Sequence, residues 1–380
     1  PPKPARPMSG CGDFTSQMCM SCHGKGNFAA REKLTKNSHP LGVTPFKTAD
    51  SDILFTPAQA DPSRMALPLF DSYGVRTRQG NVTCATCHDP HRRRLDSAAV
   101  PSESADPEAA KNLYLRRPSP TICSECHADK FAVADSKHNL RKTAPDETNL
   151  LKQKASEAGL CGNCHLVHGG AQFFLWAKTI PDGTGSSEMS LCYSCHTQDG
   201  PAAKKMVQAV SHPVNVSPGE KGLTTRLPLF DPLHQLSPDG RMTCYSCHDP
   251  HRWNPSGSVS DTSVVAEGDA RNSFLRLTNS PAPHLCADCH QKQARIGNTD
   301  HDLTITAPEA KNTAGQYPLQ SGPCGVCHLT HNGENQLLIW GQEFGRGNTV
   351  METLCTGCHS GSGVARNKIP PVTFHPNDIA

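Results

Sequence analysis

At 380 residues the chain has the length of two or three domains, yet only 36% of it is hydrophobic and 5% aromatic, with 30 glycines and 32 prolines. That mixture excludes a large core built from side chains alone and gives loop-rich chain unless another group supplies apolar surface. A formal net charge of +2 excludes the strongly basic balance of a nucleic-acid binder, and no stretch is long and apolar enough to span a bilayer.

The opening run from Pro1 to Pro7 (Pro-Pro-Lys-Pro-Ala-Arg-Pro) reads as the mature end of a processed chain. Next comes Cys11, and then the stretch that organises everything after it, Cys19-Met20-Ser21-Cys22-His23. The same Cys-x-x-Cys-His pattern returns as Cys84, Cys87 and His88; Cys123, Cys126 and His127; Cys161, Cys164 and His165; and Cys192, Cys195 and His196. It continues as Cys244, Cys247 and His248; Cys286, Cys289 and His290; Cys324, Cys327 and His328; and Cys355, Cys358 and His359. Nine copies use eighteen of the nineteen cysteines and leave Cys11 over, as a free or intermolecularly bonded thiol. A thioredoxin-like pair needs no following histidine, and zinc ribbons pair their knuckles at shorter spacing. The pattern is the c-type haem attachment signature: two thiols add to the vinyl groups of one porphyrin, and the adjacent imidazole reaches its iron.

Nine haems supply one apolar plate for about every 42 residues, so the expected architecture is mainly irregular, with short helices, little sheet and a core of stacked haems. Two propionates per haem bring the holoprotein to a charge of about −7 when oxidised and about −16 when reduced. Arg92-Arg93-Arg94 and Arg116-Arg117 are expected to pair with those propionates.

The text repeats itself. Cys123 and Cys286 are 163 residues apart, as are Cys161 and Cys324, and Cys192 and Cys355. Leu67-Pro68-Leu69-Phe70-Asp71 returns as Leu227-Pro228-Leu229-Phe230-Asp231, and the second motif with its Asp-Pro-His tail (Asp89 to His91) returns at the sixth (Asp249 to His251). We therefore read a first tetrahaem unit with an N-terminal arm over 1–183, a second over 184–346, and a single-haem remnant over 347–380. The first unit carries an extra segment around Thr56 to Pro62. Phe173-Phe174-Leu175-Trp176 and Leu337-Leu338-Ile339-Trp340, the strongest apolar runs, are expected to pack against porphyrin.

Function turns on the sixth iron position, because histidine there lowers the potential while an empty site permits substrate chemistry. Nine histidines outside the motifs keep the repeat's register: His39, His212 and His375; His91 and His251; His168 and His331; His138 and His301. Nine irons thus meet nine spare imidazoles, which we take as their distal ligands. His234 and His284 fall outside the register and are expected at the surface or against propionates. A three-residue link cannot wrap a porphyrin edge, so His91, His168, His251 and His331 must each serve a haem other than that of the neighbouring motif. His39, His212 and His375 each precede proline, which favours an extended loop. Which haem each spare histidine reaches is not set by the spacing.

The doubled motifs, the Cys-His-Asp-Pro-His and Cys-His-Leu-x-His tails, and the His-Pro after each first motif resemble the doubled-motif multihaem cytochrome c family over nearly the whole chain. Within it, the chain is similar to extracellular cytochromes that polymerise into nanowires. There a histidine of one subunit ligates a haem of the next, which implies a homopolymer bridged by His39 or His375. Soluble periplasmic nonahaem cytochromes and outer-membrane conduits use similar chains. Haem attachment of this kind takes place outside the cytoplasm, so an extracellular or periplasmic location follows. The expectation is an electron carrier with redox-protein or extracellular acceptors as partners, not an enzyme; a reductase would keep one iron open.

Overall fold

The computed structural model describes residues 13–29, 34, 37–45, 66–91, 114–117, 119–171, 174–181, 187–232, 235–253 and 268–369. Most of them are loop and turn. The helices are short, and one sits at each motif: Phe14–His23, Cys84–Cys87, Thr121–Ser124, Ala155–Gly162, Ser187–Tyr193, Cys244–Cys247, His284–Cys289, Pro318–Gly325 and Val350–Cys358; Leu140–Thr143 and Leu303–Thr306 lie between motifs. Among the described residues the sheet is one two-residue antiparallel pair, Leu69–Phe70 with Arg76–Thr77, in which Leu69 faces Thr77.

The first and last of these helices start for a local reason. Asp13 caps the first by accepting from the Ser16 amide at 2.7 Å. Thr349 and Glu352 form a reciprocal box at the start of the last, each side chain accepting from the other's amide at 3.2 Å. The fourth and eighth motif helices are each broken by a glycine in the left-handed region, Gly159 at φ 79° and Gly322 at φ 81°. At Gly322 a Cβ would lie 2.0 Å from the Asn279 carbonyl oxygen, so only glycine fits.

The polypeptide's own apolar core is thin. The repeated Leu-Pro-Leu-Phe segments bury Leu67 and Leu69, and Leu227, Leu229 and Phe230. A separate cluster joins Leu303, Ala310 and Val326. Large apolar side chains such as Met18, Phe28, Ile305 and Met351 stay exposed on the protein chain.

The chain divides into two compact units, Pro1–Ser194 and Cys195–Ala380, so the division falls inside the fifth motif. Within each unit the same isolated bridges recur. His88 bridges Leu115 and His248 bridges Leu275, while His165 bridges Trp176 and His328 bridges Trp340.

Candidate haem sites

The motif backbone is one helical turn, and that turn explains the spacing. In seven of the motifs the histidine amide donates to the carbonyl of the first cysteine: His88 to Cys84, His127 to Cys123, His165 to Cys161, His248 to Cys244, His290 to Cys286, His328 to Cys324 and His359 to Cys355, all at 2.8–3.0 Å. A turn closed this way puts residues three apart on one face. Both thiols therefore point to one side, with the imidazole just beyond them at the helix end.

Backbone carbonyls then fix most of the motif imidazoles. Nδ1 of His23 meets the Ala29 carbonyl at 3.0 Å, that of His165 meets Phe174 at 2.6 Å, and that of His196 meets Lys205 at 3.1 Å. Nδ1 of His248 meets Ser273 at 2.9 Å, that of His328 meets Leu338 at 2.8 Å, and that of His359 meets Lys368 at 3.1 Å. A carbonyl can only accept, so Nδ1 is the protonated nitrogen and Nε2 keeps its lone pair for a metal. Among the spare histidines, His39 and His212 are held the same way, by the carbonyls of Pro40 at 3.1 Å and Pro213 at 3.2 Å.

Three of those acceptors come from strained backbone. Phe174 has φ 52°, Leu338 φ 55° and Ser273 φ 29°, all in the left-handed region that bulky residues avoid. The bend turns each carbonyl back towards an imidazole. The apolar runs are thus more than packing. They carry the histidine's hydrogen-bond acceptor, and their tryptophans stand edge-on to the same ring, Trp176 to His165 at 6.0 Å and Trp340 to His328 at 5.8 Å.

Among the described residues, five pairs of imidazoles stand opposite each other across a gap. Their ring centres are 6.2 Å apart for His39 and His127, 6.3 Å for His88 and His168, 6.2 Å for His212 and His290, 6.1 Å for His248 and His331, and 6.2 Å for His301 and His359. A metal–imidazole bond of about 2 Å, and a ring nitrogen about 1.1 Å from its ring centre, place two trans imidazoles about 6.2 Å apart. All five gaps fit one iron. The ring planes fall into two classes: 21° and 29° for the His88–His168 and His248–His331 pairs, and 79–82° for the other three. His168 and His331 face the second and sixth motifs rather than the motifs that precede them. Burial holds His168 and His331 down at about 4, with the facing imidazole adding to the effect, so both are neutral at pH 7 as a metal ligand must be.

Thiols of successive motifs also meet. Within the first unit Cys19 lies near Cys84, Cys87 near Cys126, and Cys123 near Cys161. Within the second, Cys247 lies near Cys289, Cys286 near Cys324, and Cys327 near Cys358. First cysteines meet first, and second meet second, in alternation.

Other expectations fare differently. The Arg116 guanidinium donates to the Ala85 carbonyl at 2.7 Å and to Asp89 at 2.9 Å, clamping the second motif's tail. Arg117 lies 3.6 Å from Glu125. His91 is 95% exposed, and no second ring faces it among the described residues. His284 opens the seventh motif's helix. Cys11, the segment around Thr56 to Pro62, Arg92-Arg93-Arg94, Phe173, His234 and His375 lie outside the described residues.

The residues fit covalent haem. Buried Trp253 Nε1, Trp340 Nε1 and His168 Nδ1 have no hydrogen-bond partner in the protein, as is expected where a propionate or other cofactor atom completes the site. No group of three or more His, Cys, Asp or Glu among the described residues is placed to hold a bare metal ion.

The family described as doubled CXXCH motif matches residues 153–201 and 317–363. Each match spans two successive motifs, the fourth with the fifth and the eighth with the ninth. No curated protein and no solved structure matches the chain. The two matches support a multihaem c-type cytochrome-like family, with covalently bound c-type haem and electron transfer as its business.

Proposed function

We propose that the chain carries electrons along nine covalently attached c-type haems, each with two histidine ligands, and that it does so as a subunit of an extracellular cytochrome filament. The observation that carries the reading is the set of five imidazole pairs at 6.1–6.3 Å, each joining a motif histidine to a spare one. In this reading His39 serves the third haem, His168 the second, His212 the seventh, His331 the sixth and His301 the ninth. Four motif histidines (His23, His165, His196 and His328) and four spare ones (His91, His138, His251 and His375) remain, and the proposal matches these sets to each other. The alternating thiol contacts support an order in which haems one to four, and haems six to nine, follow the chain. That layout gives two runs of four stacked porphyrins with the fifth haem between them in chain order, and little room for a reactant.

Low-spin iron throughout is the direct test. The reduced protein should bind no carbon monoxide, and one equivalent bound per chain would mean an open iron and a catalyst instead of a wire. With His39 engaged by His127, His375 is the ligand proposed to bridge to a second copy. Micrometre-long threads in negative-stain images of extracellular material, lost in His375→Ala, are the expected result; monodisperse particles from the unaltered protein would replace the filament with a discrete shuttle.

A further inference from the structure

We propose that Asp249 sets the reduction potential of the iron that His251 ligates, holding it below that of the corresponding haem in the first unit. The inference rests on reading His251 as an iron ligand.

Asp249 follows the sixth motif directly and is 9% exposed. One oxygen, Oδ1, accepts from the His251 amide at 3.1 Å and lies 3.3 Å from His251 Nδ1. The other, Oδ2, lies 3.3 Å from Nη1 of Arg276, whose side chain is 1% exposed and whose Nε donates to the Tyr245 carbonyl at 2.7 Å. The carboxylate is thus pinned between a buried guanidinium and the far nitrogen of a ligand ring. A carboxylate on Nδ1 draws the proton towards itself and gives the ring imidazolate character, which makes Nε2 a stronger donor and favours ferric iron. Burial keeps water from screening the effect.

The first unit has the same residues and a different arrangement. Asp89 accepts from the His91 amide at 3.1 Å, but its oxygen is 3.7 Å from Nδ1 of a ring that is 95% exposed. At that distance no hydrogen bond forms. The other three-residue spacers, in front of His168 and His331, carry Leu-Val and Leu-Thr and offer no carboxylate.

Asp249 is a positioning residue: it would act through His251 and need not touch the haem. Spectroelectrochemical titration of the nine-haem protein should show one component of Asp249→Asn shifted to higher potential. The expected change is on the order of tenfold in the reduction equilibrium, about 59 mV for one electron. Asp249→Glu should restore the original value, and Asp89→Asn should move its haem by clearly less. If Asp249→Asn fails to assemble, Asp249→Ser, which still offers an uncharged acceptor, serves the same comparison. An unmoved titration, or an equal shift in Asp89→Asn, overturns the proposal. His251→Ala separates the two levels. A new high-spin ferric haem establishes the ligand and leaves the potential to decide on Asp249, whereas a wholly low-spin spectrum removes His251 from the ligand set and the proposal with it.

Discussion

The first and second units hold their facing imidazoles alike and surround them differently. His88 with His168 repeats as His248 with His331, at 6.3 and 6.1 Å, and His39 with His127 repeats as His212 with His290, at 6.2 Å in both. The neighbourhood has drifted. Trp176 donates from Nε1 to Ser194 at 3.2 Å, while Trp340 has no protein partner for its buried nitrogen. The residue one repeat after Ser194 is Gly357, where even a Cβ would sit 2.0 Å from the Glu343 carbonyl oxygen. The placing of the imidazole pairs follows from motifs and spare histidines, which recur from one unit to the other. Their energies follow from hydrogen bonds and charges, which differ between the units.

Removing one spare histidine from each unit should have the largest effect. His168→Ala and His331→Ala should each convert one low-spin haem to a five-coordinate, high-spin one that binds one carbon monoxide per chain when reduced. The two should behave alike. If either variant stays wholly low-spin, the duplication of ligand geometry fails there.

The ring-plane angles sharpen it next. Near-parallel imidazoles split the iron d orbitals they overlap, and crossed ones leave them nearly degenerate. The oxidised protein should therefore show two kinds of low-spin electron paramagnetic resonance signal. The rhombic kind would come from at least the second and sixth haems, and the strongly anisotropic kind from at least the third, seventh and ninth. A spectrum of one kind alone would contradict the geometry.

Smaller effects test the surroundings. Gly357→Ala should destabilise the second unit by about 1–3 kcal/mol, because the backbone of Glu343 must move. Ser194→Ala, which only removes an acceptor from Trp176, should cost about 1 kcal/mol. Thermal unfolding of the holoprotein reads both. Equal costs would mean that the two tryptophan sites are not distinguished by this contact.

Much of the site is legible in the text because covalent chemistry demands fixed spacing. Cysteines three apart and a histidine one further are written directly, and the spare histidines show themselves by register. The short helices follow, since a single turn is all that a motif needs. The pairing was not legible. His39 and His127 are brought together by the path of the whole unit, and no local signal joins them. Nor were the carbonyl anchors. Phe174 and Leu338 take a backbone conformation that their bulk disfavours, so only the surrounding fold can impose it. Arg116 was read by sign alone, and its contact with Asp89 had no signal in the spacing.

The facing rings have one more consequence, and it concerns how the chain can be cut. The span from His39 to His127 overlaps the span from His88 to His168, and His212–His290, His248–His331 and His301–His359 overlap in succession. Iron bonded across each gap would close these spans as interlocking links, each shortening the reach of the unfolded chain as a disulfide does. No break between His39 and His168, or between His212 and His359, leaves every link whole, so a two-haem fragment cannot be trimmed from either end of a unit without opening a ring in what remains.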